Sequence, residues 1–175
     1  LTSFEKYTKL MFKCQYKRSF IVAEHHKKMF EVLQDVVDGK ITRLIINIAP
    51  RYGKTELVIK SFISWAFALN PRCRFLHLSY SDILVNDNSD TVRNIMSEEL
   101  YKTLFPNSAL ASEKGSAKRW KTKAGGELYA VSTQGQVTGF GAGAVDEEID
   151  KMDGGNDIFV FDDHTNEMLK MIDAK

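Results

Sequence analysis

Cysteine and long apolar runs are both scarce in this sequence of 175 residues, and each scarcity excludes a class of protein. The two cysteines, Cys14 and Cys73, cannot make a disulfide framework, and no Cys-x-x-Cys pair or Cys/His cluster suggests a zinc site. The longest apolar runs are far shorter than the roughly 20 residues that cross a bilayer, and the first residues do not resemble a signal peptide. We therefore expect a soluble protein of a reducing compartment that makes no membrane contact.

The overall composition is that of an ordinary globular domain. Hydrophobic residues make up 43% of the chain and charged residues 27%, which is enough for a core and too apolar for a disordered chain. The length fits one α/β domain. The sequence runs from Leu1 to Lys175 without a recognisable start or stop signal, and we expect it to be a fragment of a longer polypeptide.

The formal net charge of +1 conceals an uneven distribution of charge. Residues 1–30 carry seven Lys or Arg against two acidic residues, and a second basic cluster lies between Lys114 and Lys123. From Asp146 onward the balance is reversed, with ten acidic residues against three lysines. Basic clusters favour contact with a polyanion, but a solvated surface explains them at least as well.

Hydrophobic periodicity predicts helices that alternate with strands. One helix ends at Asp38-Gly39, a second runs from Thr55 to Leu69 and is apolar on nearly every side, and a third follows Ser81-Asp82. Strands rich in apolar residues alternate with these helices, an order that favours a three-layer α/β fold with a parallel sheet. The predicted strands are 43–49, 73–78, 128–131 and 157–161.

The most informative stretch joins the first predicted strand to the second helix and reads Ala49-Pro50-Arg51-Tyr52-Gly53-Lys54-Thr55-Glu56. A loop in this context directs backbone N–H groups and the positive end of a helix dipole at one point, which favours an anion. Lys54 would reach the β- and γ-phosphates of a nucleotide, Thr55 would place its hydroxyl on Mg²⁺, and Gly53 lets the backbone approach closely. Ile48 occupies the first glycine position of the Gly-x-x-x-x-Gly-Lys-[Ser/Thr] pattern, so an ordinary turn with a solvated lysine is the alternative.

A phosphate-binding loop needs a carboxylate for the metal ion at the end of a neighbouring strand. Asp162 and Asp163 directly follow the apolar run 157–161 and have that position in the sequence. Asp162 would hold Mg²⁺, directly or through water, and Asp163 would polarise the attacking water. The alternative is that the paired aspartates form a turn or cap a helix.

Arg51 lies three residues before Lys54, where a guanidinium can contact the γ-phosphate and offset the charge that develops during transfer. Its alternative role is an ion pair with a carboxylate such as Glu56. The predicted catalytic residues are therefore Asp163 and Arg51, and the predicted metal ligands are Thr55 and Asp162. The predicted nucleotide-binding residues are Pro50, Arg51, Tyr52, Gly53, Lys54, Thr55 and Glu56.

Two other features have ordinary interpretations. The acidic stretch 146–154 lacks the ligand alternation of a calcium-binding loop, because Ile149 and Lys151 occupy ligand positions. His77 lies within a predicted strand and is interpreted as a core histidine whose hydrogen bonds are satisfied.

With these residues in place, the chain resembles the ATPase domain of the large terminase subunit, the DNA-packaging motor of tailed bacteriophages and prophages. The resemblance runs from about Ser19 to Glu167, and its central element is similarity to the family's Pro-Arg-x-Gly-Lys-[Ser/Thr] loop. The features that carry it, in order, are His25, Asp38-Gly39-Lys40, residues 50–57, Asn70-Pro71, Ser79-Tyr80-Ser81, Trp120, residues 125–131, residues 138–142 and Asp162-Asp163.

The resemblance implies an ASCE-type P-loop NTPase fold with α/β/α layers around a mostly parallel central sheet. It divides the chain into an N-terminal helical lead-in over residues 1–40 and an ATPase core over residues 41–175, which we expect to be truncated at its C-terminal end. The family's core continues into a strand whose Ser or Thr senses the γ-phosphate, so hydrolysis is expected to be weak if that strand is missing. Nothing in the sequence is similar to the family's nuclease domain.

The resemblance also implies a function, a Mg²⁺-dependent ATPase that drives double-stranded DNA into a procapsid. ATP and Mg²⁺ are the implied cofactors. Portal protein and the small terminase subunit are the implied partners of a homo-oligomeric ring in the cytoplasm of the bacterial host. Asp163 stands where many family members have glutamate. Its shorter side chain would require a slightly different position of the attacking water. Two alternatives stay open: a helicase-like nucleic-acid-dependent ATPase outside packaging, and an inactive prophage fragment that only binds nucleotide.

Overall fold

The computed structural model describes residues 2–112, 116–132 and 157–161, and within the last range the side chain of Val160 alone. Helices and strands are mixed along these residues, and no helix among them is long and apolar enough to cross a membrane. In chain order the elements are α1 (Phe4–Tyr16), α2 (Glu24–Val37), a π-helix (Thr55–Ser61), α3 (Phe62–Leu69), β1 (Arg74–Ser79), α4 (Asp82–Ser97), α5 (Glu99–Leu104), a 3₁₀-helix (Pro106–Ser108), β2 (Arg119–Lys121), β3 (Glu127–Ser132) and β4 (Asp157–Phe161).

The described strands form one sheet in the spatial order β2-β3-β1-β4. β1 lies between β3 and β4 and is parallel to both, so that His77 stands opposite Ala130 on one side and Val160 on the other. β2 pairs with β3 in the antiparallel direction and is only three residues long. The carboxyl ends of the three parallel strands therefore lie at the same edge, which is where open α/β sheets bind ligands.

Three of the four predicted strands are confirmed, those at 73–78, 128–131 and 157–161. The three predicted helices are confirmed as well, with local signals at their ends. Ser81 accepts a hydrogen bond from the backbone N–H of Leu84 at the start of α4, at 3.4 Å. Gly39, just beyond α2, has the left-handed φ of +74° that favours glycine after a helix.

The strand predicted over residues 43–49 is wrong. Within the described part of the chain this segment pairs with no strand, and Ile45 is 83% exposed. Ile46 and Ile48 pack partly against the core, while the residues between and beside them face outward. An extended segment needs a neighbouring strand for its backbone N–H and C=O groups, and apolar composition does not supply one.

The core lies between the helices and one face of the sheet. Phe4 is at its centre, with its ring centroid 5.6 Å from that of Phe30, 6.0 Å from Phe62 and 5.0 Å from Trp65. Through these contacts α1 packs against both α2 and α3. The opposite face of the sheet carries a smaller buried cluster of Leu76, Leu78 and Val131.

A hydrogen bond inside this core connects α1 to α3. The hydroxyl of Tyr7 donates to Ser64 Oγ at 2.8 Å, and Ser64 Oγ in turn donates to the carbonyl of Lys60 at 2.7 Å. Both side chains are fully buried. The first helix therefore contacts the same helical segment that follows the candidate phosphate-binding loop.

Close backbone packing fixes the β2–β3 hairpin against the turn that precedes β1. A Cβ at Gly126 would clash with the carbonyl oxygens of Pro71 and Cys73, so only glycine fits there. Thr122 Oγ1 donates to Pro71 O at 2.6 Å and accepts from the backbone N–H of Gly126 at 2.9 Å. The backbone N–H of Glu127 completes the contact by donating to Cys73 O at 3.0 Å.

Candidate nucleotide-binding site

The loop that the sequence predicts to bind phosphate turns through residues 50–53 and leads straight into a helical segment. Arg51 and Gly53 both have left-handed backbone angles, with φ of +70° and +80°. Glycine adopts this conformation without strain, whereas a non-glycine residue is strained there by about 1–3 kcal/mol. The carbonyl of Gly53 accepts the backbone N–H of Leu57 at 3.0 Å, which joins the loop to the first helical turn.

The helical segment after the loop begins as a π-helix, Thr55–Ser61, and continues without a break as α3. π-Helical turns are rare and occur frequently at functional sites. Leu57, Ile59 and Ser61 are buried and hold this segment in the core. Thr55 and Glu56 at its start are only partly buried and remain accessible from outside.

A cavity of about 420 Å³ lies beside the loop, a volume typical of small-molecule sites. Tyr52 is the predicted nucleotide-binding residue that does not line it: the side chain is 53% exposed and its ring lies 5.4 Å from that of His25. Leu84 and Asn88 of α4 close another side of the cavity. The predicted residues that the structure brings together around it are Pro50, Arg51, Gly53, Lys54, Thr55 and Glu56.

Among the described residues, the ionisable side chains that line the cavity are three basic ones, Arg51, Lys54 and Lys60, and one acidic one, Glu56. Lys60 Nζ and Glu56 Oε2 form an ion pair at 3.1 Å, and the hydroxyl of Tyr16 donates to the same carboxylate at 3.2 Å. Burial lowers the pKa of Lys60, but the Glu56 carboxylate outweighs it and the net pKa is raised. The described part of the lining therefore carries an excess of positive charge, which favours an anionic ligand.

The alternative role of Arg51 was an ion pair with Glu56. In the described part of the chain the ion pair of Glu56 is with Lys60. This pair is separated by four residues on a helix, a spacing that the sequence shows. Lys60 could therefore have been predicted as a partner of Glu56 from the sequence, whereas its position on the cavity could not.

The two predicted carboxylates, Asp162 and Asp163, lie outside the described residues, so their roles in metal binding and water activation stay predictions. β4, the strand that leads towards them, is paired in parallel with β1 as far as Phe161. Among the residues that are described, no group of three or more His, Cys, Asp or Glu side chains is placed to hold a metal ion.

At the carboxyl edge of the sheet, Ser79 of β1 stands opposite Ser132 of β3. Both hydroxyls are buried and have no hydrogen-bond partner among the described residues. His77, two residues before Ser79, is fully buried and neither of its ring nitrogens has a partner in the described ranges. The sequence-based interpretation of His77 as a buried histidine is confirmed.

His26 was not among the predicted site residues, yet its imidazole ring contacts the loop. The backbone N–H of Ala23 donates to its Nδ1 at 3.0 Å, and its Nε2 lies 3.2 Å from the carbonyl oxygen of Tyr52. Since Nδ1 is an acceptor, the proton of the neutral ring lies on Nε2, which donates to Tyr52. Burial and the neighbouring His25 lower the pKa of His26, which favours this neutral form. No sequence pattern indicates a contact across 26 residues.

Part of the first basic cluster is paired within its own helices. Lys9 contacts Glu5, Lys27 contacts Glu24 and Lys28 contacts Glu31, each three or four residues away. Such exposed pairs are typical of solvated helix faces and contribute little to stability. In the second cluster, Arg119 pairs with Glu127 across the β2–β3 hairpin. The exposed pairs of Lys9, Lys27 and Lys28 fit a solvated surface, whereas the Glu127 side chain that pairs with Arg119 is buried.

No protein-family model matches the chain, and no curated protein or solved structure matches it significantly. The resemblance to the terminase ATPase domain therefore depends on the sequence motifs. The cavity beside the loop is a separate, structural observation that concerns the same residues.

Proposed function

We propose that the chain binds the phosphates of ATP in the cavity beside residues 50–56 and belongs to an Mg²⁺-dependent ATPase that packages DNA. One observation carries the proposal: Arg51, Lys54 and Thr55 line a single cavity at the start of a helical segment. A helix start supplies unpaired N–H groups and a positive dipole end, and the lining adds an excess of positive charge. These are the properties that a triphosphate requires.

The proposed roles follow from the chemistry of each side chain. The ammonium group of Lys54 binds the β- and γ-phosphates, and the guanidinium of Arg51 offsets charge on the γ-phosphate. The hydroxyl of Thr55 suits Mg²⁺, which prefers oxygen ligands, and it lines the same cavity as Lys54. Asp162 is the proposed second ligand. The ion, when bound, neutralises charge on the phosphate oxygens.

The proposed hydrolytic step depends on the second of the paired acids. Asp163 orients and deprotonates the attacking water, the task that glutamate has in many terminases. The carboxyl ends of β1, β3 and β4 share one edge, and Asp163 follows β4 by two residues in the sequence. This parallel arrangement supports the proposal of an ASCE-type P-loop fold with α/β/α layers.

The biological setting is proposed on the resemblance alone. The ATPase would act on double-stranded DNA, in a homo-oligomeric ring with portal protein and the small terminase subunit, in the bacterial host cytoplasm. The division into a lead-in over residues 1–40 and a core over 41–175 is part of the same proposal. A helicase-like ATPase shares the nucleotide chemistry and differs in its partners, so binding to portal protein separates the two.

One observation favours a second candidate, a chain that binds nucleotide without turnover. Residues 43–49, which lead into the loop, have no strand partner among the described residues. Electrostatic catalysis requires groups held rigidly in place before the reaction, and an unpaired segment holds the loop less firmly. Binding without phosphate release would identify this case.

Titration calorimetry with ATP and Mg²⁺ tests the phosphate site. Lys54→Ala is expected to weaken ATP binding about tenfold to a hundredfold, since a charge-assisted hydrogen bond contributes about 1.5–3 kcal/mol. The matched control is Lys28→Ala, which removes an equal charge from an exposed side chain of α2. Circular dichroism checks that both variants stay folded.

Wild-type affinity in Lys54→Ala would overturn the assignment of the loop. Equal losses in both variants would overturn it too, because they would show that only the total charge matters. Phosphate release measured on the wild-type chain then separates an ATPase from a protein that binds nucleotide alone.

A further inference from the structure

We propose that His26 is a positioning residue for the phosphate-binding loop: its imidazole ring joins the start of α2 to the carbonyl of Tyr52 and so fixes the loop backbone beside the cavity. The inference rests on the proposed nucleotide site, because the loop that His26 holds is the one expected to bind phosphate.

The ring is fixed at both of its nitrogens. Nδ1 accepts the backbone N–H of Ala23 at 3.0 Å, and Nε2 donates to Tyr52 O at 3.2 Å. The backbone N–H of His26 also donates to the carbonyl of Ala23, at 3.0 Å. Ala23 has no side chain that can cap the helix, so the third residue of α2 provides the reciprocal contact, as Glu or Gln does in a capping box.

On the loop side, the contact supports a strained backbone. The carbonyl that accepts from His26 belongs to the peptide that joins Tyr52 to Gly53. The φ of Gly53 is +80°. Arg51, one residue before Tyr52, is itself left-handed and strained. A strained non-glycine conformation such as that of Arg51 persists only where surrounding contacts enforce it, and the bond from His26 to the next residue is a contact of that kind.

Gly53 and His26 also fit each other sterically. A Cβ at Gly53 would lie 2.9 Å from His26 Nε2, so the imidazole fills the space that a side chain would need. Glycine is therefore required for its backbone angle and for the approach of the ring. The Tyr52–Gly53 peptide is held from outside the cavity while Gly53 and Lys54 line the cavity itself.

The neutral ring is the form that makes both bonds. The groups that act on it are His25, whose ring centroid is 3.9 Å away, the carbonyls of Tyr52 and Ile21, and the ring of Phe20 at 5.1 Å. A proton on Nδ1 would point at the N–H of Ala23 and break that bond. The bond that anchors the ring to α2 is therefore expected to be lost as the pH falls, while Nε2 continues to donate to Tyr52 O.

Three variants separate positioning from general stability. His26→Ala removes both hydrogen bonds. His26→Gln keeps an acceptor and a donor and does not titrate. Ser3→Ala is the control, because Ser3 caps α1 by accepting from Lys6 N–H. It loses a helix cap without changing the loop.

ATP affinity is measured by calorimetry from about pH 7.5 to about pH 5.5. We expect His26→Ala to weaken binding about tenfold at the upper pH, and His26→Gln and Ser3→Ala to stay within about threefold of wild type. The ratio of wild-type to His26→Gln affinity should fall on acidification. Wild-type affinity in His26→Ala, or a His26→Gln variant as weak as His26→Ala, would overturn the inference.

Amide hydrogen exchange at Gly53 and Lys54, followed by NMR without nucleotide, keeps this inference separate from the proposed function. Exchange at both amides should be about tenfold faster in His26→Ala than in wild type and near wild type in His26→Gln. If the wild-type chain binds no ATP, the proposed function fails and the exchange result still decides the role of His26. Equal exchange in wild type and His26→Ala would refute that role.

Discussion

The helical segment over residues 55–69 and the extended segment over 43–49 lie on either side of the same loop, and both are rich in large apolar side chains. Trp65 and Phe67 in the first are completely buried, whereas Ile45 in the second is 83% exposed. A helix pairs its backbone groups internally and can enter a core by itself. An extended segment depends on a neighbouring strand. Apolar content creates the tendency to be buried, and backbone hydrogen bonding decides whether burial is possible.

The largest effect should come from the buried segment. Trp65→Ala is expected to lower the free energy of unfolding by about 3–5 kcal/mol, because it removes a fully buried ring that packs 5.0 Å from Phe4. Urea denaturation followed by circular dichroism measures the change. The milder Ile63→Val should cost about 0.5–1.5 kcal/mol and remains measurable if the tryptophan variant does not fold. Losses below these ranges in both variants would mean that this segment is not tightly packed.

The next effect tests whether the buried side of the sheet excludes water. Burial lowers the pKa of His77 to about 4, against about 6.5 in an unfolded chain. The contribution of the neutral ring is complete above about pH 6.5 and is lost as the pH falls towards 4. Wild type should lose about 3 kcal/mol more unfolding free energy than His77→Leu between about pH 7 and about pH 4.

Denaturant titrations of both chains at the two pH values measure this difference. The lowered pKa of His26 also reduces the unfolding free energy at low pH. Both chains contain His26, so its contribution cancels from the difference between them. Parallel pH profiles for the two chains would show that water reaches His77.

A smaller effect is expected from one hydrogen bond in the buried segment. Tyr7→Phe removes the hydroxyl that donates to Ser64 Oγ at 2.8 Å and should cost about 1 kcal/mol. Tyr52→Phe is the matched control, since its side chain is 53% exposed, and it should leave stability unchanged within about 0.5 kcal/mol. Thermal denaturation of the two variants compares them, and equal midpoints would argue against a role for the Tyr7 bond.

The smallest effect is expected in the extended segment. Its measurement tests whether this segment is truly less buried than the helical segment over residues 55–69. Ile45→Ala should change the unfolding free energy by no more than about 0.5 kcal/mol, because most of its side chain is already in water. A loss of more than about 1 kcal/mol in a denaturant titration would show that residues 43–49 are packed in solution as the sequence predicts.

The elements that the sequence predicted correctly are specified locally. The strands at 73–78 and 128–131 and the cap at Ser81 are visible in a few consecutive residues, and so is the loop from Pro50 to Glu56. Residues that are neighbours in sequence at a turn also meet in space, which explains why most of the loop lines one cavity.

The features that the sequence did not reveal depend on distant parts of the chain. Whether residues 43–49 become a strand depends on a pairing partner, which their own composition does not contain. Whether His77 finds a hydrogen-bond partner depends on what packs over it. The contact of His26 with Tyr52 joins residues 26 positions apart, and the spacing of the two follows no helical or strand period.

Gly126 has a practical consequence for work with this chain. Its backbone packs closely against the turn before β1, so any side chain there would clash with that turn and displace the β2–β3 hairpin. At Gly39, by contrast, a Cβ would meet nothing within 4 Å, and asparagine tolerates the left-handed angle there. Reporter dyes, affinity tags and permuted chain ends are therefore better attached near Gly39 than near the hairpin.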